Sequence, residues 1–426
     1  MDKKEFYCKC IKILKEELVP ALGCTEPIAI AYAGAKAREV LGEMPDEIII
    51  ECSRNIIKNV KGVIVPNTKN LKGIEVSVLA GVIAGDTKKN LEVISGVADK
   101  DIQIIKELIK KKICKVKKSD NEVALYIKVI LYKEDKNAIV EMMHEHTNIT
   151  LIQTNDKILF EGNRDKDNFN SSLTDRSDLT LSKIFDFIEN ININEVKSLL
   201  DKQIEYNTAI SEEGLKNNYG ACVGKTLIET YGKDDVRIRA KALAAAGSDA
   251  RMSGCSLPVV INSGSGNQGI TLSLPIIEYA KELNVSQEKL YRALLLSNMI
   301  AIHEKTEIGR LSAYCGAISA ACGAGAGITY LHNGNFNNIS KTITNIFGNI
   351  AGIICDGAKP ACAAKIASCI DACILAHEMS MKNRTFKSGE GIIKDNIEKN
   401  IDSIAKLARD GMKFTDDKIL EIMLEN

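Results

Sequence analysis

Apolar and polar positions along the chain change their rhythm twice, and the two changes divide it. Residues 3 to 20 carry apolar positions at helical spacing up to Pro20, which predicts an amphipathic helix stopped by the proline. The turn-like Gly23-Cys24-Thr25-Glu26-Pro27 follows, and an Ala-rich helix is predicted from Ile28 to Leu41 with Pro27 in its first turn. A strand is predicted at EIIIEC (47–52), then a polar loop with Ser53, Asn55, Lys58, Pro66 and Asn67, then helices over 73–95 and 99–112. Between 113 and 162 the period shortens to two. KICKVKK, VALYIKVILYK, AIVEMMH, ITLIQT and KILFEG are separated by turns rich in Asp, Asn and Lys, the pattern of an antiparallel meander. Residues 163–180 are polar and read as a loop or linker. From 181 onward the pattern is helical and dense in small residues, as in AKALAAAGSDARMSG, GAISAACGAGAG and KPACAAKIASCIDACILAH.

The expected fold is therefore α+β. An N-terminal α/β part with an antiparallel sheet covers residues 1–165, and a mainly helical part covers 180–426, with the helices of 1–41 expected to pack on the second part. A chain of 426 residues fits two such parts.

Charge adds an exclusion. Lys plus Arg and Asp plus Glu number 56 each, so nothing in the net charge points to nucleic acid or to a membrane surface. The start, Met1-Asp2-Lys3-Lys4-Glu5-Phe6, lacks the basic and apolar regions of a secretory signal, and no apolar run is long and clean enough to span a bilayer. A cytoplasmic enzyme with a small-molecule substrate is expected, without nucleic-acid or membrane partners and with a homodimer as an open possibility.

Thirteen cysteines are many for such a chain, and an odd number cannot all pair. Cys8, Cys10, Cys114, Cys222 and Cys373 read as buried apolar residues, and Cys322 and Cys369 as packing within Ala/Gly helices; Cys52 and Cys255 adjoin polar loops. Cysteines beside glycine or proline in ALGCTEP (21–27), LSAYCGAISAACGAGAG (311–327) and ICDGAKPACAAK (354–365) are what simple burial leaves unexplained. Cys355 and Cys362 are seven apart, as are Cys315 and Cys322. That spacing excludes a zinc ribbon and the C-x2-C-x2-C run of bacterial ferredoxins. On spacing alone, a metal site and structural thiols both remain open.

Five motifs in order along the chain sharpen this: GCTEP, SRNIIKNVKGVIVPNT (53–68), NSGSGNQG (262–269), YCGAISAACGAGAG (314–327) and ICDGAKPACAAKI (354–366). Together they resemble the L-cysteine desulfidase family, which is related to the iron–sulfur L-serine dehydratases. The resemblance implies a [4Fe–4S] cluster on three cysteines, here Cys315, Cys355 and Cys362, with one iron open to substrate, and a proton-accepting cysteine, here Cys24. It implies β-elimination of L-cysteine to pyruvate, ammonia and hydrogen sulfide. An open iron is a thiophilic Lewis acid suited to a departing sulfide, and Cys24 must reach its thiolate to act as base. Amides at the helix start favour that thiolate, whereas a negatively charged cluster opposes it. Ser263, Ser265 and Asn267 are candidates to hold the substrate carboxylate at a helix start, and Ser53, Asn55, Lys58 and Asn67 could contribute from the other part.

Competing assignments carry less. His144 and His146 of HEHT share a face of a predicted strand but lack a third ligand, so an exposed strand end is expected there. His303, Glu304, Lys305 and Glu307 could line the site or be ordinary helix-end charges. Lys305, Lys359 or Lys365 could hold pyridoxal phosphate, but nothing else in the chain resembles such a fold. An L-serine dehydratase is the alternative within the chemistry, and a non-catalytic iron–sulfur redox sensor is the alternative outside it. The carboxylate-binding loops argue against a sensor.

Overall fold

A computed structural model describes residues 2–166, 170 and 172–425. The polar stretch 163–180 includes 167–169 and 171, which lie outside the described residues. In chain order the elements are α1 (Lys3–Glu17), β1 (Pro20–Leu22), α2 (Thr25–Leu41), β2 (Glu47–Cys52), α3 (Arg54–Val60), α4 (Ile74–Ala84), α5 (Asp99–Lys110) and five strands. The strands are β3 (Cys114–Lys118), β4 (Tyr126–Lys133), β5 (Lys136–Met143), β6 (Ile149–Thr154) and β7 (Lys157–Glu161). Then come α6 (Leu181–Asn190), α7 (Lys197–Lys216), α8 (Val223–Tyr231), α9 (Val236–Met252), β8 (Pro258–Val260), α10 (Gly266–Glu282) and α11 (Gln287–Ile308). The chain ends with α12 (Gly316–Leu331), α13 (Phe336–Ile350), α14 (Cys362–Met381), α15 (Ile397–Lys406) and α16 (Lys413–Leu424). The protein is α+β, with an antiparallel-rich sheet in its N-terminal region and helices beyond it.

The sheet runs in the order β3-β2-β4-β5-β6-β7. Strands β4 to β7 form the expected meander, turning at Glu134 and Asn155 with positive φ. The first strand of the predicted run departs from it. β3 lies at the opposite edge, parallel to β2, with Ile48 opposite Cys114. Three other expectations are corrected. The first helix ends at Glu17, because Pro20 opens a short strand. The polar segment after β2 contains α3, since the Ser53 hydroxyl accepts the Ile56 amide and caps a helix start. The helix predicted over 73–95 stops at Ala84 and continues only as a 3-10 turn over Thr87–Glu92.

α2 is buried along nearly its whole length, against α4 on one side and β4 and β5 on another. Glycine makes the helix contact possible: a Cβ on Gly81 would lie 1.9 Å from the Ala31 carbonyl oxygen. The same device closes the helical part, where a Cβ on Gly323 of α12 would lie 2.4 Å from the Ser297 carbonyl oxygen of α11. The Ala/Gly stripes seen in the sequence thus set inter-helix distance.

Two features tie the start of the chain to the helical region. β1 pairs antiparallel with β8, Pro20 opposite Val260 and Leu22 opposite Pro258. Glu17 at the end of α1 is buried and ion-paired with Arg176 at 2.6 Å and Arg310 at 3.0 Å. Both contacts lie immediately before Cys24, and so fix where α2 begins.

Candidate active site

Three helix beginnings meet around a set of thiols. Cys24 is the N-cap of α2, Cys315 the N-cap of α12, and Cys362 the first residue of α14. The chain reaches Cys24 through Gly23 at φ +50°, where a Cβ would sit 2.2 Å from Pro66 Cγ. Only glycine supplies both that dihedral and that closeness. Cys355 lies in the α13–α14 connection. Its amide donates to the Ala313 carbonyl at 2.6 Å while the Cys315 amide donates to that of Ile353 at 3.1 Å, so the two cysteines are carried on one short bridge. Lys58 Nζ donates to the Cys355 carbonyl at 3.3 Å and pairs with Asp416. Gly357, at φ +91°, brings its backbone against Lys58, with room for no Cβ.

The thiols are close enough to resist one another's ionisation. Burial and then the neighbouring Cys355 push the Cys315 thiol up to about 12. Burial raises Cys362 as well, and Cys355 adds to it. Thiols whose ionisation the protein alone disfavours, here Cys315 and Cys362, suit a cationic iron centre, which takes thiolates as ligands. Among the described residues no group of His, Cys, Asp or Glu is drawn together tightly enough for a single metal ion. Three neighbouring thiols are soft donors, a chemistry compatible with an iron–sulfur cluster.

Cys24 stands beside this set, packed with Val63, Met252, Ala358 and Cys362. Its Sγ donates to Glu26 Oε2 at 2.8 Å. Thr25 anchors the turn by donating to the Gly264 carbonyl at 2.8 Å. Glu26 Oε1 accepts from Asn59 Nδ2 at 3.1 Å and has His146 Nε2 at 4.0 Å, an ion-pair separation too long for a hydrogen bond. Burial alone would raise Glu26, but His146 and the Cys24 thiol outweigh it and hold the carboxyl at about 2. Burial drives the Cys24 thiol well above its ordinary range and the Glu26 charge adds to this, while Arg251 opposes it.

Arg251, at the end of α9, is 3 % exposed and its Nε has no hydrogen-bond partner among the described residues. Burial lowers its pKa, against the pull of Cys24, Glu26 and Cys362. Gly266 makes room for it, since a Cβ there would meet Arg251 Nε at 2.3 Å. Other buried polar atoms nearby are also unpartnered among the described residues: Asn59 Oδ1, His146 Nε2, Asn267 Oδ1 and Gln268 Oε1. Native interiors leave few such atoms, and a cluster of them marks where a polar ligand belongs.

The sequence-predicted residues divide into two sets. The 263–269 loop is drawn into the site. A Cβ on Gly264 would lie 2.9 Å from the His146 ring, and one on Gly316 would lie 2.9 Å from Gln268. Ser263 Oγ is committed to Asn262 at 2.9 Å and Ser265 caps α10, so their side chains serve the loop. Asn267 keeps a free Oδ1. On the other side, Ser53 donates to the Ala124 carbonyl at 2.7 Å and Asn67 to that of Ile94 at 3.1 Å, both structural bonds. Asn55 is half-buried on α3. Lys58 touches the site through the Cys355 backbone.

The expectation for HEHT is overturned. His144 and His146 lie in the β5–β6 turn and both are buried, His144 held by the Asp165 carbonyl at 2.7 Å and His146 against Glu26. Arg251, Glu26 and Asn59 were not singled out in the sequence. Lys305 is buried facing Cys355 and Cys315, and burial lowers it to about 8. Lys359 and Lys365 are both paired with Asp356. Of the cysteines read as packing, Cys10, Cys322, Cys369 and Cys373 are buried, Cys114 and Cys222 are half-buried, and Cys8 is exposed.

The family model for the serine dehydratase alpha chain matches residues 88–421. The chain belongs to that family. It is 56% identical over 418 residues to a UPF0597 protein of Lachnoclostridium phytofermentans, covering 98% of this chain and 100% of the relative. A UPF0597 protein of Desulfitobacterium hafniense is 54% identical over 425 residues, covering 100% and 98% respectively. One from Treponema denticola is 47% identical over 430 residues, covering all of both chains. These matches make the chain an iron–sulfur serine-dehydratase-like protein. The matched residues carry Cys315, Cys355, Cys362 and Arg251, whereas Cys24 and Glu26 precede them. No helix among the described residues is long and apolar enough to cross a membrane.

Proposed function

We propose that the protein is an L-cysteine desulfidase, a carbon–sulfur lyase that converts L-cysteine to pyruvate, ammonia and hydrogen sulfide, with a [4Fe–4S] cluster on Cys315, Cys355 and Cys362. One observation carries the reading: Cys24 and the buried Arg251, whose Nε has no partner among the described residues, stand together beside that set of three thiols. When bound, the cluster supplies an iron Lewis acid for the substrate's β-sulfur.

The protein's own residues account for the rest. Arg251 presents a planar, permanently charged fork, the group best matched to a substrate carboxylate. The side-chain amide oxygens of Asn267, Gln268 and Asn59 have no partner among the described residues and are available to an ammonium. Cys24 takes the α-proton as thiolate. Its thiol donates to Glu26 Oε2 at 2.8 Å, which orients the sulfur, and the Arg251 charge is what favours the thiolate against burial and the Glu26 charge. His146 lies on the far side of Glu26, at an ion-pair separation that helps keep the carboxylate ionised. Cys24 is buried, whereas Cys315, Cys355 and Cys362 are half-buried, so water is kept from the base more than from the other three thiols.

L-serine dehydration is the second reading, favoured by the description of the family model. Anaerobic assays decide between them by comparing sulfide release from L-cysteine with pyruvate formation from L-serine. Protein purified without oxygen should be brown, with broad visible absorbance bleached by dithionite, and Cys315→Ala, Cys355→Ala and Cys362→Ala should each lose iron and colour. A colourless protein that turns over L-cysteine at full rate would overturn the proposal, and preference for L-serine would leave the cluster but change the substrate.

A further inference from the structure

Lys58 stands in the last turn of α3 and is 2 % exposed. A buried ammonium is costly unless its donors are met and its charge is paired. Among the described residues two groups accept from it. One is the Cys355 carbonyl, 3.3 Å from Nζ. The other is the carboxylate of Asp416, in the first turn of α16. The end of α3 is also pressed against the loop after Cys355, since a Cβ on Gly357 would lie 2.6 Å from the Lys58 carbonyl oxygen. A cysteine backbone, a buried cation and a carboxylate from the far end of the chain are therefore linked in series.

The C-terminal segment also reaches the other half of the Cys315–Cys355 bridge. Ahead of α16 the helix widens into a π turn over Leu407–Gly411, where the Ala408 carbonyl accepts the Ser312 hydroxyl at 3.0 Å. Ser312 Oγ in turn accepts the Tyr314 amide at 3.1 Å, one residue before Cys315. Both strands of the bridge are thus fastened from residues 408–416. α16 has two other holds on α3: Arg54 pairs with Asp417, and Lys61 Nζ donates to the Met423 carbonyl at 2.6 Å. Neither continues to the Cys355 loop. The side chains of Arg54 and Asp417 are 51 % and 39 % exposed, so solvent weakens that pair.

We propose that Asp416 is a positioning residue for Cys355: it keeps Lys58 in the interior, and Lys58 holds the Cys355 carbonyl so that the thiol is set for the cluster. The inference rests on the cluster reading above and extends that site to the C-terminal helix. Asp416 acts through Lys58 and not on the substrate. Without its carboxylate the Lys58 ammonium is left buried with one neutral partner. Turning out to water relieves it, and the bond to Cys355 is then lost. Partners that orient metal ligands in this way are worth about 10- to 100-fold in metal affinity.

A double-mutant cycle with a control pair tests this in the full-length protein. Iron release to a chelator, after anaerobic reconstitution, should be about 10- to 100-fold faster in Asp416→Asn and unchanged in Asp417→Asn. Asp416→Asn should add little to Lys58→Met, because the route to the cysteine is already cut. A second measurement needs no iron. In apoprotein, amide hydrogen exchange over residues 355–359 should quicken in Asp416→Asn while α9 and α10 keep their protection, which also checks that the variant folds. Wild-type iron release or wild-type exchange in Asp416→Asn overturns the proposal. So does an effect shared by Asp417→Asn, which would make α16 a general support, or additivity within the cycle. Wild-type protein that takes up no iron would sink the cluster reading instead, and the exchange measurement still decides whether Asp416 holds the Cys355 segment.

Discussion

Replacing Arg251 by methionine should separate stability from function. Arg251 is 3 % exposed with an unpartnered Nε, and burial already works against its charge. Methionine keeps an unbranched stem in the space that Gly266 provides and removes the charge. Exchanging a poorly compensated buried ion for an apolar residue is neutral or stabilising by about 1–4 kcal/mol. With an unfolding entropy of about 2.1 cal/mol/K per residue, the 426 residues give ~0.9 kcal/mol/K, so the melting temperature should hold or rise by up to ~4 °C. Substrate loses its charged partner, at about 2–5 kcal/mol for a buried hydrogen-bonded pair, a ~30- to ~5000-fold fall in kcat/KM. The assay is anaerobic pyruvate formation over a range of L-cysteine concentrations, beside a thermal melt and an iron determination. Unchanged iron, an unchanged or higher melting temperature and a lower kcat/KM are expected. A kcat/KM near wild type would refute the carboxylate assignment. A melting temperature several degrees lower would show instead that the guanidinium is satisfied within the fold.

Three further outcomes follow from the same geometry. Cys24→Ala should retain iron and colour while losing turnover, and loss of colour would make Cys24 a ligand rather than a base. Glu26→Gln removes a charge that raises the Cys24 thiol, so alkylation of Cys24 in apoprotein should begin at lower pH, and an unchanged onset would exclude Glu26 as a source of that shift. His377 is buried beside His332, and burial followed by the His332 charge depresses it from 6.5 to about 4. A depressed histidine contributes stability that is present above pH 6.5 and lost as pH falls toward 4, here ~3 kcal/mol. His377→Gln should flatten the pH dependence of urea unfolding in that window, and an unchanged slope would exclude the residue as its source.

Local patterning made β4 to β7 readable, because alternation and turn residues act over a few positions. β3 was harder: its strand character was visible, but pairing with β2 across the sheet depends on contacts about sixty residues away. α3 went unread because seven residues rich in Asn and Lys carry little helical period, and a single Ser53 cap begins it. The three late cysteines stood out through their motifs. Their surroundings did not. Glu26 and Arg251 look like ordinary charges in a linear sequence, and only tertiary burial reveals that they lack solvent. His146 was misread for the same reason, since a turn between two strands is normally exposed and here it is covered by the Gly264 loop.

The β1–β8 ribbon has a consequence for the order of assembly. Pro20 meets Val260, and Thr25 reaches Gly264 across 239 residues. Cys24 leaves the ribosome early, yet the Gly264 contact that anchors its turn is missing until the chain has reached that residue. The polypeptide must close a long loop before that contact is gained, which makes docking of the α2 start a late event. Cys315, Cys355 and Cys362 emerge later still. A nascent or truncated chain therefore exposes its thiols without a finished site, and iron delivered before the ribbon has closed would meet cysteines still free to choose other partners.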